Sequence, residues 1–427
     1  MTTSFPVLEE SDVRSSLADD IAVCEQCRLC VDLCDVFPSV FDALARVPNA
    51  DAHLLTPHQQ NVVSDYCFHC GACTQRCPHR GPSSEHEIDL PTSFIHLMHV
   101  RRRNGYFSVR QRVTNWVLST PDLIGPCVVR CSSLINWLMQ KPNTLRRRCV
   151  TAMTGISPSA RIPYVSGQRF SKWFRRQELP ATSDRLQVGL FPTCTIEYFS
   201  DEAAQAIVSE ITSRGSSCHL ATTRCCGAEE LRSGRIGAFR KRAGRLVELL
   251  EKESSTDPIM VMSPSCRAHL LTNLVPHCEA AQKTRAESVI SRLRSPLEVL
   301  ADLGNSNAGA VSSSDDIAHR QPLLFLPGPH DGHAEREGFE HRVGVGATVQ
   351  TTDDAGLPLG AWALRHGNEE SARRIVQRMA KRLPPTSACP HTVARSGCLS
   401  SQALSDETGL NIVDPVLVSQ QSPGREQ

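Results

Sequence analysis

CEQCRLCVDLC (residues 24–34) and CFHCGACTQRCP (residues 67–78) are one pattern written twice: Cys24, Cys27, Cys30 and Cys34, then Cys67, Cys70, Cys73 and Cys77, each run spaced C-x2-C-x2-C-x3-C. Cysteines at i, i+3 and i+6 wrap a loop around one centre and present three thiolates to three irons of an iron–sulfur cube, so the fourth ligand must come from elsewhere. Zinc also binds C-x2-C pairs, but it takes its four ligands as two pairs and leaves the regular third spacing of both runs unexplained. The chain holds 19 cysteines in all. Its opening, MTTSFPVLEESDVRSS, has acids before the first base and no apolar segment, so a cytoplasmic protein with reduced thiols is expected. Clustered cysteines there are metal ligands sooner than disulfides.

Working outward, 427 residues suffice for two or three domains, each with its own core, and no apolar run approaches the roughly 20 residues that span a bilayer. A net charge of +1 argues against nucleic acid as a partner. That balance hides an asymmetry: Arg101 to Arg176 holds 15 Lys and Arg against one acid, Asp122. The cysteine pattern divides the chain into a two-run unit (1–92), a basic helical linker (93–184), and an α/β region in two halves (185–301 and 317–420). RLQVGLFP (185–192) and PIMVMSP (258–264) read as buried strands. SDEAAQAIVSEITSRG and GRIGAFRKRAGRLVELLEKE have helical periodicity, the first with Ser200 and Gly215 as caps. EHEIDLPTS near residue 90 and DLGNSNAGAVSSSDD (302–316) read as connecting tracts. The expected fold class is α+β multidomain.

The twin runs resemble those of a bacterial two-cluster ferredoxin. In such folds the last cysteine of each run ligates the other cluster, which implies one 4Fe-4S set of Cys24, Cys27, Cys30 and Cys77 and a second of Cys67, Cys70, Cys73 and Cys34. One departure stands out: Cys34 is followed by Asp35, whereas Pro78 follows Cys77 as the usual run requires. Further on, Cys194 ends LFPTC, Cys225 and Cys226 lie in TTRCCG, and Cys266 closes MSPSC. These resemble the CCG pattern of heterodisulfide reductase and its relatives, and imply a candidate third cluster at Cys194, Cys225, Cys226 and Cys266. Ser263 stands where that pattern has a further cysteine. With the middle stretches RVTNWVLSTPDLIG and SGQRFSKWFRR, the whole chain is similar to the family of iron–sulfur subunits of anaerobic glycerol-3-phosphate dehydrogenase.

The second half has lost the ligands. LFPTC matches FLPGP, setting Pro329 against Cys194; TTRCCG matches TTDDAG, setting Asp354 and Ala355 against Cys225 and Cys226, with only Gly356 kept. Cys389, Cys398 and an Asp353 or Asp354 carboxylate make a poor set, and Ser401 replaces a second cysteine, so a pseudo-symmetric scaffold without a cluster is expected, its halves burying each other. His330 and His333 lack a third ligand and read as a polar loop. Cys127, Cys131 and Cys149 have no ligand spacing and read as structural. The basic segment interleaves Trp116 and Trp137 with Arg, which suits helices on an anionic membrane face or a surface for an acidic partner subunit. No acid–base dyad, nucleophile or Gly-rich nucleotide loop shows, so no catalytic residue is assigned. The resemblance implies an electron-transfer subunit that accepts electrons from a flavoprotein dehydrogenase of sn-glycerol 3-phosphate and passes them toward membrane quinone. The alternatives are a glycolate- or lactate-type or heterodisulfide-reductase-like complex, or an assembly protein that kept its ferredoxin clusters.

Overall fold

The computed structural model describes residues 8–80, 87–179, 186–199, 201–252, 257–305, 323–328, 333–343, 349–351, 357, 359–384, 392–395 and 399–418. Helices build the N-terminal unit and the middle segment, and two four-stranded parallel sheets with flanking helices build the rest, a mixed α/β molecule.

In the N-terminal unit the helix Glu10–Cys27 stops because Arg28 turns left-handed (φ 49°) and returns its N–H to Cys24 O. That turn presents Cys27 and Cys30. Leu17 and Ile21 of this helix are buried with Phe94, Leu97 and Val100 of the helix Leu90–Arg103, which opens on Pro91, and with Phe37 and Val40 of Val36–Leu44. Each such fully buried side chain contributes roughly 1.5–3 kcal/mol. The compact unit therefore runs to residue 103, past the boundary read at 92, and part of EHEIDLPTS is the first helical turn. Residues 81–86 lie outside the described ones.

The middle segment is a run of helices, Val109–Ser119, Pro121–Arg130, Ser132–Met139, Leu145–Thr154 and Phe170–Phe174. Ser108 and Gln111 close a capping box on the first. Arg147, only 1% exposed, donates to the carbonyls of Ser157 and Ala160 and so holds the following loop. Cys127, Cys131 and Cys149 are exposed, which corrects the structural role read for them: they pack into no core.

The first sheet has the order β2-β1-β3-β4, with β1 Gln187–Phe191, β2 Ser217–Leu220, β3 Ile259–Val261 and β4 Leu293–Arg294. All pairs are parallel, with Gly189 opposite both His219 and Ile259. QVGLF is apolar on both faces because helices cover both sides of a parallel sheet. The helices Glu202–Ser213 and Ile236–Leu250 form where the periodicity placed them; the first ends at Arg214, with Gly215 (φ 76°) next, and Ser200 lies outside the described residues. The second sheet repeats the plan as β6-β5-β7-β8, with β5 Leu323–Phe325, β6 Val349–Thr351, β7 Thr392–Ala394 and β8 Asn411–Val413, again all parallel.

The two halves touch through Leu297, which packs with Phe325, Phe339 and Ala394, and through Val416, which enters the core of the first half. Most of the second half's apolar surface goes elsewhere. Leu324, Leu357, Trp362, Ile375, Met379 and Val393 share one core with the N-terminal unit. Mutual burial of the halves, the expectation from the repeat, is thus only part of the arrangement. The helix Pro296–Asn305 occupies the start of the tract 302–316, whose remainder is outside the described residues.

Candidate metal centres

The thiols of the twin runs gather crosswise. Cys24 lies in the electrostatic reach of Cys77, Cys30 and Cys27, and burial, then Cys77, push its thiol up to about 12. Cys34 instead faces Cys70 and Cys67, burial raising it well above its usual range, and Cys73 lies in the reach of Cys70, Cys67 and Cys34 and, last among them, of Cys30. Cys34, Cys67, Cys70 and Cys73 line one chamber, walled by apolar side chains such as Phe37 and Phe94 and enclosing about 400 Å³, part of it open to solvent. Local conformation aims these ligands. The helix Pro57–Asp65, fixed by a Thr56–Gln59 capping box, leads into Cys67. His69 is left-handed (φ 52°) and its N–H donates to Cys67 Sγ at 3.4 Å. Gly71 (φ 74°) then starts the short helix that carries Cys73.

Four clustered, partly buried thiols would repel as thiolates, so each set calls for a cationic centre that favours ionisation. Among the described residues no three His, Cys, Asp or Glu side chains close tightly enough for a single metal ion. Two groups of four thiols in apolar surroundings suit the larger iron–sulfur cube.

The third set stands at the carboxyl ends of β1, β2 and β3, on either side of the point where the chain reverses its order across the sheet, the place where open parallel sheets put their ligands. Cys194 follows β1 directly, on the helix Thr193–Tyr198. Thr193 is wholly buried and left-handed (φ 66°), a strained conformation for a β-branched residue. Cys225 and Cys226 follow β2, and Gly227 (φ 87°) turns the chain into the helix Ala228–Arg232; a Cβ there would meet Arg242 Cδ at 2.6 Å. Cys266 lies in the first turn of Pro264–His277 after β3. The thiols form a hydrogen-bonded chain: Cys194 bonds Cys225, Cys225 bonds Cys226, and Cys226 Sγ lies 3.1 Å from Cys266 Sγ. The bond to Cys225, then burial, hold Cys194 well above its usual range. Ser263 Oγ pairs with Ser265 Oγ at 3.1 Å.

The sequence reading missed the charges behind this loop. Asp122, the lone acid of the basic stretch, accepts a hydrogen bond from Cys225 N at 2.9 Å and one from Arg242 at 2.5 Å. Arg242 also donates to both carboxylate oxygens of Glu230, at 2.8 and 3.0 Å, and to Cys225 O at 3.3 Å. The isolation of Asp122 was the one signal that could have found them. A second junction links the two regions of thiols: Arg232 donates to His69 O at 3.4 Å and pairs with Glu229, which also holds Arg365 of the second half. Burial, then Arg232, bring His69 down to about 3 and His269 well below its ordinary value.

In the second half, Pro329, His330, Asp353, Asp354, Ala355, Gly356, Cys389 and Cys398 lie outside the described residues; Ser401 is on the helix Leu399–Thr408, and His333 opens the helix His333–Val343.

Residues 23–80 match the family model of a 4Fe-4S dicluster domain, and residues 188–271 match that of a cysteine-rich domain of the CCG type. No curated protein and no solved structure gives a significant match to the chain. Twin-run and CCG thiols thus lie within a 4Fe-4S dicluster domain and a cysteine-rich domain, a pairing consistent with a heterodisulfide-reductase-like iron–sulfur subunit, and these domains support an iron–sulfur electron-transfer role.

Proposed function

We propose that this chain is the iron–sulfur subunit of a membrane-associated dehydrogenase, taking electrons from a flavoprotein that oxidises sn-glycerol 3-phosphate and passing them toward quinone. The observation that supports the reading is that twelve cysteines lie within a matched 4Fe-4S dicluster domain and a matched cysteine-rich domain. Cys24, Cys27, Cys30 and Cys77 would hold one 4Fe-4S cluster, Cys34, Cys67, Cys70 and Cys73 a second, and Cys194, Cys225, Cys226 and Cys266 a third. Such a centre, when bound, accepts and returns one electron at a time, which divides a flavin's electron pair into single steps. The protein's own part is to shield the thiols partly from water with apolar walls and to aim them through left-handed turns.

The membrane part of the proposal rests on the middle segment. Val109, Trp116, Leu123, Leu134, Trp137 and Leu145 are all exposed, between 48 and 78%, among arginines; Arg146 sits 4.1 Å over the Trp137 ring. Apolar side chains set in a basic surface support a peripheral contact with anionic lipid on the cytoplasmic face. Among the described residues no helix is long and apolar enough to cross a membrane.

Iron and acid-labile sulfide per chain, measured on anaerobically purified protein with electron paramagnetic resonance, test the central claim. About 12 irons, falling to about 8 in the Cys225→Ser, Cys226→Ser variant, is the expected result. About 8 in both would confine the metal to the N-terminal unit and favour an assembly role. Reduction of a quinone analogue by the purified flavoprotein complex, with glycerol 3-phosphate set against glycolate and lactate, decides the partner.

A further inference from the structure

We propose that the cysteine-poor second half has become a wall of the N-terminal unit's metal site. It seals the Cys34, Cys67, Cys70 and Cys73 centre, and Asp35 is the positioning residue that ties this wall to the Cys34 turn. The inference rests on the reading of those four cysteines as cluster ligands.

Three contacts carry it. Leu357, between β6 and β7 and 1% exposed, lines the chamber that the four thiols share. Asp35, next to Cys34 and 5% exposed, accepts from Ser371 Oγ at 2.6 Å and pairs with Arg374 at 2.7 Å and Arg378 at 2.8 Å. One turn further, Arg382 donates to Asp32 O at 2.7 Å. Residues 371, 374, 378 and 382 recur every three or four positions, so one face of the helix Glu369–Lys381 and its C-terminal extension grips the segment 32–35. The third contact is at the second ligand run. Trp362 Nε1 donates to Asp65 O at 3.0 Å, and its ring lies 5.5 Å from that of Phe68, so the residues flanking Cys67 are held as well.

Both ligand-bearing turns of this centre are thus clamped from outside their own unit, by the half whose counterparts of Cys194, Cys225 and Cys226 are Pro329, Asp354 and Ala355. The departure at Asp35 acquires a reason. A proline in that place, as at Pro78, would turn the chain but offer no charge to three partners on one helix. Apolar closure of a metal site controls solvent access and dielectric, so the wall governs how readily the centre is attacked.

The test follows iron release from the full chain, purified without oxygen and then exposed to air and a ferrous chelator, with electron paramagnetic resonance of the reduced protein. Asp35→Asn and Leu357→Ala are each expected to speed the loss of about a third of the iron at least about tenfold, and to change the signal of one centre only. Asp35→Glu should restore most of the wild-type rate. Arg161→Ala breaks an exposed ion pair to Asp406, also in the second half but away from the chamber, and should leave the rate unchanged. Wild-type release from both Asp35→Asn and Leu357→Ala overturns the proposal, as does equal acceleration by Arg161→Ala. If Asp35→Asn does not fold, Leu357→Ala decides alone. Unaltered iron content in Cys73→Ser would refute the ligand reading itself, a failure distinct from that of the wall.

Discussion

The two halves of the α/β region share a sheet order, β2-β1-β3-β4 and β6-β5-β7-β8, and an all-parallel pairing, yet Cys194, Cys225 and Cys226 of the first are matched by Pro329, Asp354 and Ala355 in the second. The second kept the sheet and turned its helices and loops toward the N-terminal unit, where Ile375, Met379 and Val393 enter that unit's core. The same sheet is thus built with and without the Cys194, Cys225 and Cys226 positions, as when a site is grafted on a shared scaffold. The N-terminal unit is built otherwise. Cys24 and Cys27 end the helix Glu10–Cys27, and the other cysteines lie on loops and the five-residue helix Ala72–Arg76, with left-handed residues at Arg28, His69 and Gly71, so less regular structure holds most of them.

The contrast predicts its own largest effect. Stripping iron with a chelator under reducing conditions should cost residues 24–77 their hydrogen-exchange protection while the amides of β1 and β3 keep theirs. Structural metal sites can couple on the order of 10 kcal/mol of binding to folding. Equal loss in both regions would show that the first half, unlike its twin, folds around its centre, and the comparison would break.

A smaller effect separates the halves by their charges. Arg242 closes a largely buried trio with Asp122 and Glu230 behind the Cys225 loop. Arg242→Ala leaves two carboxylates at low exposure without their cation, which is expected to cost about 3–5 kcal/mol in denaturant unfolding and to alter the resonance signal of the third centre. Arg242→Lys, keeping a charge but not the fork, should fall between. A loss below about 1 kcal/mol would place the trio among surface pairs.

What was legible in the sequence was local or periodic. Strands at QVGLF and IMV, the helices on either side of β2, and the repeat of FLPGP on LFPTC all follow from short windows, and the sheets bear out the repeat. The cysteine spacing was readable because a cluster loop is itself a short window. Contacts between distant segments carry no such period. Asp35 and Ser371 are 336 residues apart, and Asp122 and Arg242 are 120 apart. Nothing in either neighbourhood specifies the other, so the burial of the second half on the N-terminal unit stayed hidden. The three linker cysteines misled for a related reason: cysteine is apolar enough to suggest a core, but an exposed helix face tolerates it.

Thr193 offers the finest discrimination between the halves, because Gly328 occupies the matching position of the second half. Holding a β-branched residue left-handed costs about 1–2 kcal/mol, which Thr193→Gly would recover. The same change frees the unfolded backbone and empties a fully buried side chain, losses of about 1 kcal/mol or more that run the other way. Overall stability should therefore move by no more than about 1 kcal/mol. If the strain serves to aim Cys194, the next residue, the variant should still lose iron from the third centre faster than wild type, with the other centres unaffected. Equal iron retention at equal stability would mean that Thr193 is incidental to the ligand turn, and that glycine at this corner reflects no difference between a half that binds and a half that does not.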